Sequence, residues 1–141
     1  VIDGVLLAVP PEFHDRVVLG IPSYGYNWPT IVVGDCPADA PGRTSINPGT
    51  LDELIALRNI EPVADAWTGE WSATYELEID DGVSSCVQTR QLHWVDADGV
   101  ALRVEMARRA GIRGVALWAL GYEDDDVWNA LVSSATKDLA P

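Results

Sequence analysis

The sequence is poor in positive charge. Its 141 residues contain 9 Lys and Arg against 22 Asp and Glu, which gives a formal net charge of −13. A surface this acidic repels phosphate backbones and anionic lipid headgroups, which disfavours binding to nucleic acid or to a membrane surface. The sequence also lacks any apolar run near the roughly 18–20 residues that a transmembrane helix needs. We therefore expect no nucleic-acid partner and no membrane association.

Methionine, histidine and the common catalytic motifs are also scarce. The one methionine is Met106 and the chain begins with Val1, so we expect a processed protein or an excised piece of a longer one. No Gly-x-Ser-x-Gly, phosphate loop, His-Glu-x-x-His or Rossmann fingerprint is present. The isolated His14 and His93 are more typical of structural than of catalytic positions. The sequence therefore predicts no catalytic residue, no cofactor and no metal site.

Two cysteines, Cys36 and Cys86, allow a single bridge. Two thiols can form a disulfide or remain buried and reduced. Polar, loop-like neighbours around both cysteines favour the disulfide, and neither histidine stands at a metal-ligand spacing from them. A disulfide in turn predicts an exported protein, located extracellularly or in the cell envelope.

Two short apolar runs, Val17–Ile21 and Gly114–Leu120, are typical of parallel strands buried on both faces. Helical spacing of apolar residues predicts a helix between Asp96 and Gly111, just before the second run. The acidic run Glu123–Asp126 is more typical of the first turn of another helix than of a cation site. Strands and helices thus alternate, which indicates an α/β fold.

The segment between the two runs predicts an inserted α+β subdomain. Residues 23–50 are rich in Pro, Gly, Asp and Thr, which favours a long irregular loop. Residues 50–53 match a capping box, with Thr50 as the N-cap of a short helix that ends near Asn59. Strict polar–apolar alternation over 70–79, a turn at Asp80-Asp81-Gly82 and a returning segment over 86–95 predict a β-hairpin.

Aromatic residues cluster at the ends of the two apolar runs. Tyr24, Tyr26 and Trp28 follow the first run, and Trp118 lies near the end of the second. In parallel α/β folds, ligands bind at the carboxyl ends of the strands. Flat aromatic faces suit the C–H faces of sugar rings, and the hydroxyls and indole N–H groups add hydrogen bonds. Core packing explains each residue singly, but their joint placement favours a sugar-binding site.

The same two segments resemble a known family. Residues 17–28, VVLGIPSYGYNW, resemble the seventh barrel strand of the chitinase-like enzymes of glycoside hydrolase family 18. Residues 111–122, GIRGVALWALGY, resemble the eighth strand, and residues 126–131, DVWNAL, are similar to the closing helix. Tyr-Gly-Tyr at 24–26 stands where animal chitinases have Tyr-Gly-Arg, which resembles the bacterial spore-germination and cell-wall hydrolases.

The resemblance implies the C-terminal part of a (β/α)8 TIM barrel, comprising strands seven and eight with an inserted α+β hairpin subdomain. Residues 1–30 would hold a helix tail and strand seven, residues 31–96 the insertion, and residues 97–141 a helix, strand eight and the closing helix. Two strands cut from a closed barrel expose their edges. The expected partners are therefore the remainder of the barrel or a second copy that covers those edges.

The resemblance also implies a glycosidase that hydrolyses β-1,4-linked N-acetylglucosamine polymers, chitin or peptidoglycan. Trp118 corresponds to the floor of the sugar site, Tyr24 to a residue that lines it, and Tyr26 stands where many relatives have an Arg that contacts sugar. The family's catalytic Glu, which closes an Asp-x-x-Asp-x-Asp-x-Glu motif, has no match, so this chain alone is expected to be inactive. The alternatives are a non-catalytic carbohydrate- or cell-wall-binding module and an interaction domain unrelated to sugar.

Overall fold

The computed structural model describes residues 2–135, which divide into two compact units. Within this range the first unit takes in the residues up to Ser23, the short segment Trp67–Gly69 and the residues from Val95 onward. The second unit comprises Tyr24–Ala66 and Glu70–Trp94. The chain is mixed α/β, as predicted. The predicted domain boundaries at residues 30 and 96 follow from the barrel architecture of the family that the sequence resembles, and they stay a prediction.

The helices and strands are given in chain order. They are α1 (Ile2–Ala8), a short 3-10 helix (Pro11–Arg16), β1 (Val18–Pro22), β2 (Gly25–Gly34), β3 (Thr44–Ile46), α2 (Pro48–Arg58), β4 (Val63–Asp65), β5 (Glu70–Asp80), β6 (Ser85–Trp94), α3 (Ala97–Arg109), β7 (Gly114–Trp118) and α4 (Asp125–Ala135). Within the described part of the chain, no helix combines the length and the apolar character that crossing a bilayer requires.

A two-stranded parallel sheet forms the centre of the first unit. Strands β1 and β7 pair along their whole length, which confirms that the two apolar runs are parallel neighbours. Helices α3 and α4 pack on one face of this sheet, where Ile21 is completely buried. Burying a side chain of this size contributes about 2 kcal/mol to folding. The apolar cluster on this face consists of Ile21, Val100, Val104 and Val127.

The other face of this parallel sheet is open. Val18 is 46% exposed and Trp118 is 68% exposed, and a Cβ added at Gly20 would meet no atom within 4 Å. Within this chain the two strands are therefore buried on one face only, which differs from what the apolar runs by themselves predict and agrees with two strands taken from a larger barrel. Side chains alternate between the two faces of a strand, and the helices described in this unit cover only one of them.

Both predicted ends of α3 are confirmed. The Asp96 carboxylate accepts a hydrogen bond of 2.9 Å from the Gly99 N–H, and Gly111, with φ of +65°, follows the helix. A Cβ at Gly99 would overlap the carbonyl oxygen of Gly69, so glycine is needed where the segment Trp67–Gly69 meets the helix. Asp124 accepts from the Val127 N–H at 2.8 Å, which confirms that the acidic run begins a helix.

Five antiparallel strands form the second unit, in the order β3-β2-β6-β5-β4. The predicted hairpin is confirmed, because β5 and β6 pair from Trp71 with Trp94 to Asp80 with Ser85. The Asp81 carboxylate accepts from two backbone N–H groups of the turn and thereby holds it. Helix α2 packs on one face of the sheet, and the core there consists of Ile46, Leu51, Ile60, Ala73 and Leu92.

Two predictions for residues 23–59 are wrong. The expected irregular loop contains β2 and β3, because pairing with β6 stabilises a strand whose Gly and Pro residues favour loops by themselves. The pairing of β2 is irregular between Pro29 and Ile31, where proline has no N–H to donate. The N-cap of α2 is Asn47, which accepts from the Thr50 N–H at 2.8 Å, so Thr50 lies inside the helix. The helix ends at Arg58 with Asn59 as its C-cap, so the predicted end near Asn59 is confirmed.

Candidate functional site

Trp118 lies at the carboxyl end of β7, on the open face of the parallel sheet. Its backbone is held by the end of β1, since the buried Ser23 donates its N–H to the Trp118 carbonyl at 2.8 Å. The Ser23 hydroxyl also donates to the Ala119 carbonyl at 2.5 Å, and the Trp118–Ala119 peptide bond is cis. A fixed backbone therefore presents an indole ring that is largely open to solvent.

The loop after Trp118 is held by Glu123. The Glu123 carboxylate accepts from the N–H of Gly121 at 2.7 Å and of Tyr122 at 3.0 Å. Its own backbone N–H, followed by those two groups, lowers the pKa of the Glu123 carboxyl. A general acid of a glycosidase needs a raised pKa, so this carboxylate is suited to holding the loop and not to proton donation.

Tyr24 and Tyr26 lie in the second unit, at the start of β2. Their rings meet edge to face with centroids 5.4 Å apart, and their hydroxyl oxygens are 3.5 Å apart. A Cβ at the intervening Gly25 would lie 2.7 Å from the His93 carbonyl oxygen. The Tyr-Gly-Tyr sequence therefore requires its glycine because β2 passes close to the backbone of β6.

Arg43, which sequence analysis did not select, lies over the ring of Tyr26. Its guanidinium carbon is 4.1 Å from the ring centroid, within the range of a cation–π interaction. The hydrogen bond from Tyr24, and then the charge of Arg43, lower the pKa of the Tyr26 phenol. One face of the Tyr26 ring is thus covered by a cation.

Trp28 projects from the same face of β2 as Tyr26 and stacks on His93. The two ring centroids are 5.2 Å apart and the planes meet at 24°. His93 is held at both nitrogens, with Nδ1 at 2.5 Å from the Glu70 carboxylate and Nε2 at 2.8 Å from the Gln91 amide nitrogen. These contacts fix the imidazole against the indole, so His93 acts as a positioning residue for Trp28.

A buried arginine supports the loop that carries Arg43. Arg90 is 1% exposed, and all of its N–H groups donate to neutral oxygens. The acceptors are Asn27 Oδ1 (2.8 Å), the Asn27 carbonyl (3.3 Å), the Pro41 carbonyl (2.7 Å), the Gly42 carbonyl (2.8 Å) and Gln88 Oε1. Because the two residues directly before Arg43 receive these bonds, Arg90 fixes the end of the loop from which Arg43 projects.

The start of the same loop is held by a disulfide. Cys36 and Cys86 are bonded, with Cα atoms 4.8 Å apart, and Cys86 lies in β6. The loop over residues 35–43 is therefore attached to β6 at one end by the disulfide and at the other by Arg90. A charged side chain buried without a carboxylate partner is costly, and here its hydrogen bonds shape this loop.

The residues predicted for sugar binding are distributed over both units. Trp118 belongs to the first unit, whereas Tyr24, Tyr26 and Trp28 belong to the second. In residues 2–135 no group of three or more His, Cys, Asp and Glu side chains is arranged to hold a metal ion. A cavity of about 340 Å³ at the tip of the β5–β6 hairpin includes none of the four aromatic residues; Val33, Glu78, Ile79 and Val87 are among those that line it.

The contacts of Arg43, Arg90 and His93 were missed by sequence analysis. The turn over residues 81–84 sets the register of the hairpin, and this register would have placed Glu70 diagonally across from His93. No comparable signal exists for the two arginines, because their partners lie in separate segments of the chain.

The chain is similar in sequence to a protein of Dictyostelium discoideum named probable di-N-acetylchitobiase 2. The identity is 26% over 146 residues, which covers 84% of this chain and 37% of that protein. A chitinase from Chromobacterium violaceum has a similar structure, with a TM-score of 0.68 and 28% identity over 94% of this chain and 36% of the chitinase. No protein-family model matches the chain.

The spore cortex-lytic enzyme SleL of Bacillus megaterium shares the fold. Its TM-score is 0.66 at 17% identity, over 94% of this chain and 28% of the enzyme. The chain thus spans about a third of the length of these proteins. The predicted resemblance to the C-terminal part of chitinase-like and spore cortex-lytic enzymes is confirmed.

Proposed function

Starting from this resemblance to glycoside hydrolase family 18, we propose that the chain is the C-terminal part of a chitinase-like glycosidase and supplies part of its sugar-binding wall. The complete enzyme would hydrolyse β-1,4-linked N-acetylglucosamine polymers, chitin or peptidoglycan. The names of its relatives support this substrate class, since they include a di-N-acetylchitobiase, a chitinase and a spore cortex-lytic enzyme. A structural neighbour from Cycas revoluta is a chitinase in complex with (GlcNAc)4.

The position of Trp118 carries the proposal. An exposed indole at the carboxyl end of a parallel strand stands where α/β folds bind their ligands. An indole face can stack on the C–H face of a pyranose, and its N–H can donate to a sugar oxygen.

The open sheet face supports a barrel origin for the first unit. We take β1 and β7 as strands seven and eight of a (β/α)8 barrel, with α3 and α4 on its outer side. Val18, Gly20, Ala116 and Trp118 would then face the barrel interior, as alternate residues of barrel strands do. The remainder of the barrel, or a second copy of the chain, would cover this face and the two strand edges.

We further propose that this chain performs no hydrolysis by itself. No segment of the sequence matches the motif that carries the family's catalytic Glu, and Glu123 is committed to its loop. The disulfide supports a location outside the cytoplasm, extracellular or in the cell envelope, because such bonds persist in oxidising compartments.

Calorimetric titration with chitotetraose tests the proposed wall. We expect Trp118→Ala to weaken binding roughly 10-fold or more, the usual effect of removing a stacked aromatic ring. Trp67→Ala is the matched control, because Trp67 is 90% exposed in the same unit but follows no parallel strand. Equal affinity of the two variants would overturn the role of Trp118. Release of reducing ends by the pure chain would contradict the proposed inactivity.

A non-catalytic carbohydrate-binding module is the second candidate. The second unit favours it, because this unit has its own core and disulfide and presents Tyr24, Tyr26 and Trp28 together. The same titration separates the two candidates. Loss of binding in Trp28→Ala with full binding in Trp118→Ala would favour the module.

A further inference from the structure

Arg43 is an exposed cation that forms no ion pair with any carboxylate among the described residues. Its guanidinium contacts the Tyr26 ring, 4.1 Å from the centroid. The other arginines of the second unit are engaged differently. Arg90 is buried, and its N–H groups donate hydrogen bonds to neutral oxygens. Arg58 lies over the Tyr75 ring and donates to the Glu76 carbonyl at 3.2 Å. Arg43 thus differs from the other two arginines of this unit, whose N–H groups donate to oxygens of the protein itself.

The surroundings of Arg43 suit a carboxylate. The guanidinium of Arg43 lies over the Tyr26 ring, and the N–H groups of a guanidinium match the two oxygens of a carboxylate. The hydroxyls of Tyr24 and Tyr26 share a hydrogen bond of 3.5 Å, so one O–H of the pair remains as a donor of the kind that a carboxylate accepts. Trp28 projects from the same face of β2 as Tyr26, so an aromatic ring for a sugar face accompanies the charged group.

The loop that presents Arg43 is fixed before any ligand binds. Arg90 bonds the carbonyls of Pro41 and Gly42, and the disulfide holds Cys36. Such an arrangement reduces the entropy that a long arginine side chain and a mobile loop would lose on binding. Burying the charge of Arg90 is costly, and this cost is explained if the position of Arg43 matters to a ligand.

We propose that Arg43, with the remaining O–H of the Tyr24–Tyr26 pair, binds the carboxylate of an acid-bearing glycan. This inference rests on the proposed function and narrows its substrate class. A strand in which N-acetylmuramic acid carries its lactyl group as a free carboxylate, with no peptide attached, would be preferred to neutral chitin. The amino sugar backbone is the same in both polymers, so the carboxylate is the group that this subsite distinguishes.

Two tetrasaccharides of equal length test the inference on the complete chain. One alternates N-acetylglucosamine with N-acetylmuramic acid and carries no peptide, and the other is chitotetraose. In calorimetric titrations we expect the acidic ligand to bind about 10-fold more tightly to the wild type, as a charge-assisted hydrogen bond provides. Arg43→Gln should remove this preference and leave chitotetraose binding unchanged. The methyl ester of the acidic ligand should bind the wild type as chitotetraose does.

Arg58→Gln is the matched control. It removes the same charge from the same unit, also from above a tyrosine ring, but on the face of the sheet that α2 covers. It should retain the preference for the acidic ligand, and Arg43→Lys should retain part of it. Equal losses in Arg43→Gln and Arg58→Gln would overturn the subsite in favour of a general charge effect. If the wild type binds both ligands with equal affinity, this inference alone is overturned. If it binds neither ligand, the proposed function is overturned as well.

Discussion

The two units of this chain are stabilised in different ways. The first has a two-stranded parallel sheet with helices on one face and exposed residues on the other. The second has a five-stranded antiparallel sheet with a helix on one face, a disulfide and a buried arginine. Among the described residues the first unit has neither a disulfide nor a buried arginine, and its distant segments are joined by the pairing of β1 with β7 and by the hydrogen bonds of Ser23.

The two units also differ in the kind of residue that they bury and expose. In the second unit, even the polar groups Asn27, Gln88 and Arg90 are buried and satisfied by one another. In the first unit, Val18 and Trp118 are exposed on one face of the parallel sheet, although apolar side chains are normally buried. The second unit therefore has a core of its own, and the open face of the first is where the proposed remainder of the barrel or a second copy would pack.

Removal of the buried guanidinium should have the largest effect on the second unit. Arg90→Leu leaves the carbonyls and side-chain oxygens of three segments without donors, so we expect the free energy of unfolding to fall by about 3–5 kcal/mol. Denaturant unfolding measures this loss, and hydrogen exchange should locate it in β2 and β6. The exposed Arg58→Leu should cost less than about 1 kcal/mol. Faster exchange in β1 and β7 to the same extent would contradict the separation of the units.

Loss of the disulfide should rank next. The bond joins residues separated by 50 positions, and cross-links of this span stabilise by about 2–4 kcal/mol. The double variant Cys36→Ala and Cys86→Ala should therefore unfold at a lower denaturant concentration than the oxidised wild type. Reduction of the wild type is the parallel control that changes no side chain. The two proteins should unfold alike, and a reduced wild type as stable as the oxidised one would contradict the prediction.

Helix capping should have the smallest effect and should be similar in both units. We expect Asp96→Ala at α3 and Asn47→Ala at α2 to cost about 1 kcal/mol each, because each removes the acceptor of a cap hydrogen bond. Thr50→Ala should change stability by less than about 0.5 kcal/mol, since the Thr50 side chain is not the cap. Thermal unfolding measures all three. A larger loss in Thr50→Ala than in Asn47→Ala would restore the capping box that the sequence predicted.

Local signals explain which elements could be predicted from the sequence. The β5–β6 hairpin follows from strict alternation and a polar turn, and α3 follows from its cap, its spacing and its final glycine. All of these depend on residues close together in the chain. Strand β2 could not be predicted in this way, because its Gly and Pro residues favour a loop until β6 pairs with it.

Some features of the protein and its candidate site likewise follow from local sequence signals, and others depend on the folded structure. The sequence by itself determined the two parallel strands, the hairpin, the acidic surface and the aromatic residues at the strand ends. The tertiary structure decided that one face of the parallel sheet is open and that Trp118 is exposed. It also decided that Arg43, at the end of a loop held by Arg90, lies over the Tyr26 ring. The physical reason is that periodicity and capping act between neighbours in the chain, whereas burial and the partners of a guanidinium depend on segments that only folding brings together.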